Sequence, residues 1–168
     1  FSGCAGDCPD SKSPNWVTCP WPDDYLKILD YQWNEVLIPY WKEFAAFAKE
    51  NGVTKIALEL HPGFMVYNSE TLKRLRREIG VNFDPSHLLW QGMDPVSVIR
   101  ELKDAIYHVH AKDVKVDSIN TAVNGVLDTK HYSNEINRSW IFRTIGYGND
   151  TAYWKNIFST LRIIGYDG

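Results

Sequence analysis

Between Asp23 and Ala48 the apolar residues recur at helical spacing: Tyr25, Leu26, Ile28, Leu29, Trp33, Val36, Leu37, Tyr40, Trp41, Phe44, Phe47 and Ala48. A stripe of period 3.6 predicts an amphipathic rod whose aromatic face is core packing. Asp23 or Asp24 is placed to cap it, Pro39 to start a new turn or kink it, and Asn51-Gly52 to close it. Beyond the rod the pattern alternates. Residues 53–60 ("VTKIALEL") read as a strand, and 69–80 ("SETLKRLRREIG") as a helix with Ser69 as cap and Gly80 as stop. A short strand follows at 81–84 ("VNFD"), then a helix at 94–104 with Asp94 capping and Pro95 at its first position. Residues 105–111 ("AIYHVHA") read as a strand, followed by about thirty irregular residues and a weak strand at "WIFRTI". A last helix runs from Asp150 to Gly165. Strands alternating with helices imply parallel β/α units with right-handed crossovers in one domain, entered through a loop over residues 1–22.

In such folds the loops after the strands share one face, and that face holds the chemistry. The first strand delivers Glu59 and His61 there, the second Asp84 and then His87, the third His108 and His110 with Lys112 and Asp113 beyond, and the fourth Arg143. The two-residue period of a strand puts Glu59 with His61, and His108 with His110, on common faces. Each feature alone has a plainer reading: a solvated strand end, a helix cap at Asp84 or Ser86, a rim imidazole, a surface ion pair. Four in succession on one face predict a site. Two carboxylates and an imidazole suit Mn²⁺, Co²⁺, Mg²⁺ or Zn²⁺. The Arg-rich "KRLRR" at 73–77 reads as a solvated helix face, and "GYG" at 146–148 is too short for a dinucleotide loop.

Composition narrows the classes. The 168 residues are 44% hydrophobic and 23% charged, enough for a globular core. A net charge of −3 gives no basic field to attract nucleic acid or an anionic membrane. No apolar run approaches the roughly 20 residues that span a bilayer. Cys4, Cys8 and Cys19 are an odd number without a zinc-knuckle spacing, which reads as reduced thiols in a cytoplasmic protein.

The ordered set "ALELHPG", "NFDPSH", "HVHAKD", "RTIGYG" with Trp154, and "IGYDG" resembles the sugar phosphate isomerase/epimerase family of xylose isomerase-like barrels, a superfamily that includes endonuclease IV. The resemblance implies a (β/α)₈ TIM barrel, here incomplete, with about strands four to seven present. It implies metal ligands at Glu59, Asp84 and His110, with a fourth, a Glu on the eighth strand, beyond "GYDG". Glu59 would be the catalytic base. His87 and Arg143 would bind substrate oxygens, with Lys112, His61, His108 and Trp90 as further substrate-facing residues. The activity implied is proton abstraction next to the carbonyl of a ketose or keto-sugar, through an enediolate. A keto-inositol dehydratase or 3-keto-glycoside lyase would use the same site. An endonuclease IV-like phosphodiesterase would need ligands for which Asp128 and His131 are weak stand-ins. From a different class, a non-catalytic barrel fragment would serve as a binding subunit. A full barrel takes about 250 residues, so the chain is expected to be poorly active alone. It is also expected to pair through open strand edges with a second copy or with the rest of the barrel.

Overall fold

The computed structural model describes residues 1–77 and 79–168. The chain divides into two compact units, Phe1–Asn82 and Phe83–Gly168. In the first, the predicted rod forms as α1 (Asp24–Tyr31), a π-helical stretch (Gln32–Leu37) and α2 (Ile38–Glu50). Pro39 has no N–H for the carbonyl four residues back, so an α-helix through it loses a bond. The chain widens instead: Ile38 N–H donates to Trp33 O, five residues back, and Pro39 then opens α2. Asp23 sits at the N-cap position, but its side chain makes no capping bond.

The apolar stripe is only partly buried. Trp33, Leu37, Trp41 and Ala48 lie in the core, whereas Tyr25, Leu26, Tyr40, Phe44 and Phe47 are exposed. The inner face instead holds the entry loop. The Gln32 Nε2 amide lies within hydrogen-bond distance of the carbonyls of Ala5, Gly6 and Asn15, and Trp41 Nε1 donates to Ser2 O.

The first strand is shorter than its apolar run. β1 (Ala57–Glu59) pairs in parallel with the start of β2 (Gly80–Phe83), with Glu59 opposite Asn82. α3 covers Ser69–Lys73, and its cap is Asn68 rather than Ser69. Asn68 accepts from Thr71 N–H while the Thr71 hydroxyl accepts from Asn68 N–H, a reciprocal box that outcompetes the serine. Turns at 74–77 replace the expected continuation of this helix and Gly80, expected as its stop, opens β2, while Glu78 lies outside the described residues.

The second unit begins where Asp84 caps α4 (Pro85–Leu89) and Asp94 caps α5 (Pro95–Leu102). β3 (Ile106–Val109) follows, and just after it His110 N–H donates to Phe83 O at the end of β2. The stretch expected to be irregular then contains β4 (Asp113–Val116) and α6 (Ser118–Asn124). β4 pairs with β5 (Trp140–Arg143) antiparallel, from Asp113 opposite Arg143 to Val116 opposite Trp140. The expectation that the fourth strand joins a parallel series is therefore corrected. Trp90, Val114 and Trp140 form the core beneath this ladder, with Val116, Val126 and Phe142 against it.

The excursion between β4 and β5 is tied at its base. Asp128 accepts from the backbone N–H groups of Lys130 and Ser139, at 3.0 and 2.7 Å. Arg138 donates to the carbonyls of Trp140 and Lys130 and lies over the Tyr132 ring. α7 (Thr151–Ile163), capped by Asp150, buries Trp154, Ile157 and Leu161. Among the described residues, no helix is long and apolar enough to cross a membrane.

Candidate active site

The Asp84-Pro85-Ser86-His87 turn sets the chemistry of the second unit. Proline at the first helical position fixes the backbone, so Asp84 becomes the cap and its carboxylate turns toward the first free N–H groups of α4. Oδ1 accepts from Ser86 N–H at 2.9 Å and from the Ser86 hydroxyl at 2.6 Å. Both good acceptor directions of that oxygen are thereby used, which leaves Oδ2 to point elsewhere. It meets Lys112: the ammonium is 2.9 Å from Asp84 Oδ2 and 3.0 Å from His87 Nε2.

An ammonium can only donate, so Nε2 accepts from it and the ring proton sits on Nδ1. Oδ2 and Nε2 are 3.6 Å apart and direct lone pairs at one positive charge. Ligand atoms about 2.0–2.2 Å from one ion lie roughly 3.0–3.5 Å from each other. At 3.6 Å the pair lies just beyond that range, so it is the donor chemistry, a carboxylate oxygen beside an imidazole nitrogen, that suits a divalent cation.

The electrostatics follow from this packing. The Asp84 and His87 side chains are almost fully buried, that of Lys112 36% exposed. Burial alone pushes the Asp84 carboxyl up. The Ser86 and Lys112 hydrogen bonds and the nearby Lys112 charge outweigh it, and the group lies below the ordinary aspartate value. Phe142 completes this corner, edge-on to His87 with centroids 5.2 Å apart and 4.3 Å below the Lys112 ammonium. The sequence reading missed Phe142. Its signal was the period-2 position it shares with Trp140.

Glu59 is buried at the end of β1 in the first unit. It stands in register with Asn82, two residues before Asp84 along β2 and its exit. His61 is half-buried and packs against Phe1 and Phe64, with Nδ1 2.7 Å from Pro62 O. In the second unit His108 and His110 are both exposed and meet edge to face at 5.5 Å, the shared face expected of a strand.

Two expected substrate contacts are otherwise engaged. The Arg143 guanidinium pairs with Glu135 at 2.6 Å. Trp90, offered as a sugar platform against the plainer reading of packing, stacks on Trp140 at 4.4 Å and is 6% exposed. It is core, as the packing reading has it, because the β4–β5 ladder covers it.

The "GYGN" segment has a structural assignment. The Asp113 carboxylate, 1% exposed at the start of β4, accepts from the backbone N–H groups of Gly146, Gly148 and Asn149. It also accepts from the Asn149 side chain at 2.6 Å and from Trp154 Nε1 at 3.2 Å. Burial again works against ionisation. The Asn149, Trp154 and Gly148 hydrogen bonds outweigh it and hold the carboxyl low. A Cβ at Gly148 would lie 2.5 Å from Val114 O, so glycine is required there by close approach.

Comparison with known proteins bears on the family and the fold. A sequence profile described as "Xylose isomerase-like TIM barrel" matches residues 19–168. The chain is 47% identical over 174 residues to the uncharacterized protein YfiH of Bacillus subtilis, covering all of this chain and 56% of that protein. It is 27% identical over 139 residues to the inosose dehydratase of Geobacillus thermodenitrificans, covering 80% of this chain and 44% of that enzyme. A xylose isomerase domain protein from Planctomyces limnophilus has the same fold with a TM-score of 0.53 at 20% identity, over 92% of this chain and 47% of that one. The chain spans about half the length of these relatives.

Proposed function

Because this chain belongs to the xylose isomerase-like TIM barrel family, we propose that it supplies part of a metal-dependent site that removes a proton next to the carbonyl of a ketose or keto-sugar. The outcome proposed first is isomerisation or epimerisation. The observation that carries the reading is the buried Asp84 carboxylate, with one oxygen saturated by Ser86 and the other turned with His87 Nε2 onto a single cation. Glu59, Asp84 and His110 are the residues that would hold a divalent ion, Mn²⁺ first, with Co²⁺, Mg²⁺ or Zn²⁺ as the others. When bound, the ion supplies Lewis-acid polarisation of adjacent carbonyl and hydroxyl oxygens.

Glu59 takes the α-proton, since a carboxylate buried at a strand tip is poorly solvated and well placed to act as a base. His87, with its proton on Nδ1, orients a substrate hydroxyl through Nε2. Lys112 places positive charge beside the oxygen that becomes anionic in the enediolate. Phe142 forms the apolar wall against which the sugar carbons rest. Arg143 would reach substrate oxygens by exchanging Glu135 for them, and His61 and His108 are further imidazoles on the substrate side. The substrate is a small sugar, and exposed free thiols at Cys4, Cys8 and Cys19 favour the cytoplasm.

Dehydration is the second reading. It is favoured by the similarity to an inosose dehydratase, because the same α-proton abstraction followed by loss of a β-hydroxyl gives that outcome.

The test is wash-in of solvent deuterium. Manganese-loaded protein is incubated in D₂O with a panel of ketoses and with a keto-inositol, and the α-position is followed by proton NMR. Exchange that depends on Glu59, and is lost in Glu59→Gln, is expected. Loss of a β-hydroxyl in the product selects the dehydratase outcome. Equal exchange in Glu59→Gln and the parent chain would refute the assignment.

A further inference from the structure

We propose that Lys112 competes with the metal for its ligand: the ammonium holds Asp84 Oδ2, with His87 Nε2 as a second acceptor, and it must swing out before a divalent ion can bind that oxygen. The inference rests on the reading of Asp84 as a ligand and goes beyond it in assigning which residue of the chain competes with the ion for that oxygen. Three observations carry it. Asp84 has one oxygen left for a cation, because Ser86 takes both good directions on Oδ1. That oxygen and His87 Nε2 both contact the Lys112 ammonium, at 2.9 and 3.0 Å. The lysine side chain is 36% exposed while its two partners are buried, so lysine is the member of the trio with a way out.

The physical logic is charge compensation. A buried carboxylate without a counter-charge is costly, and an ammionium-sized cation between it and the imidazole removes that cost. A divalent ion approaching Oδ2 meets a like charge already at hydrogen-bond distance, and the two cannot share the oxygen without strong repulsion. The lysine is flexible, with four methylenes and a strongly hydrated head, so departure into water is open to it. Metal affinity is thereby lowered by the free energy of expelling Lys112. Once expelled, the same ammonium is available on the substrate side.

Calorimetric titration of Mn²⁺ into the metal-stripped chain tests this directly. Lys112→Met is expected to bind Mn²⁺ at least tenfold more tightly than the parent, because its Asp84 has no competing cation. Lys112→Arg, which keeps a cation, is expected to stay within about threefold of the parent. Equal or weaker binding by Lys112→Met overturns the inference while leaving the metal reading intact. Absence of binding in all three proteins overturns both.

A second measurement uses the parent chain and so does not depend on a variant folding. Reductive methylation of Lys112, followed by peptide mass spectrometry, is expected to run several-fold faster with saturating Mn²⁺ than without metal. A rate that is unchanged or slower with Mn²⁺ overturns the inference.

Discussion

Asp84 does two things that substitution can separate. As a helix cap it needs only an acceptor oxygen, and asparagine supplies one about as well as aspartate. As a ligand it needs charge. Asp84→Asn is therefore expected to keep stability within about 1 kcal/mol of the parent while weakening Mn²⁺ binding by roughly 100-fold or more. Asp84→Ala, which also orphans the Ser86 N–H, should lose about 1–2 kcal/mol in urea denaturation. If Asp84→Asn and Asp84→Ala prove equally unstable, the cap argument fails. The two imidazoles separate in the same way. His110→Ala is expected to abolish Mn²⁺ binding, and His87→Ala to keep it within about tenfold while impairing turnover. The opposite pattern would make His87 the ligand.

These roles were legible at Asp84 because "DPSH" encodes cap, proline and imidazole within four neighbouring residues. The Arg143–Glu135 pair was not legible, since its partner comes from a segment with no periodicity. Trp90 was legible as packing, but the strand that covers it, only four residues long, was not.

At the scale of elements, long patterns were read well and short ones poorly. The rod and α7 followed their apolar spacing and their stop signals. β4 escaped because "DVKV" alternates for too few residues and finds its partner more than twenty residues later. α3 was overextended because the apolar spacing of "LKRLRREI" continues after the helix has given way to turns at Arg74. The motif "GYG" carried information that spacing could not reveal: Gly148 serves the approach of a loop to Val114 O and the buried Asp113.

Gly148→Ala is accordingly expected to cost about 1–3 kcal/mol, as overpacking does when the opposing atom is backbone. Gly52→Ala meets nothing within 4 Å and bears only the penalty of a backbone at φ +85°, about 1 kcal/mol. Urea midpoints of the two variants check the order. A smaller loss at position 148 than at 52 would show that the loop can move aside.

For the whole molecule, the fold class was legible because a run of strand ends repeats one theme, polar residues on a shared face after an apolar body. That theme belongs to the barrel family rather than to any single helix or strand. Acid stability has a geography that follows from the structure. Asp84, Asp113 and Asp128, all in the second unit, have carboxyls held below the ordinary value. Burial opposes ionisation of Asp128, but the Ser139 and Lys130 backbone N–H groups, Lys130 and Arg138 bring it down to about 2.

A depressed folded-state value means stabilisation that is fully present above the unfolded value, about 3.9, and that is lost as pH falls through the folded one. The second unit should therefore lose protection between about pH 4 and pH 2. Peptide-resolved hydrogen exchange at pH 6 and pH 3, normalised to intrinsic rates, is expected to show peptides from 83–168 opening more than those from 1–82. Uniform loss across both units would count against the assignment.

The latch at the base of the β4–β5 excursion also bears on how such a chain can diversify. Asp128 and Arg138 close the segment on its own backbone, so the register of Asp113 opposite Arg143 does not depend on what lies at its tip. Residues 129–137, enclosed by the latch, form a cassette whose length can change while the ladder, and with it Phe142 beside His87, stays where it is, provided that Tyr132 against Phe142 and Glu135 on Arg143 are kept.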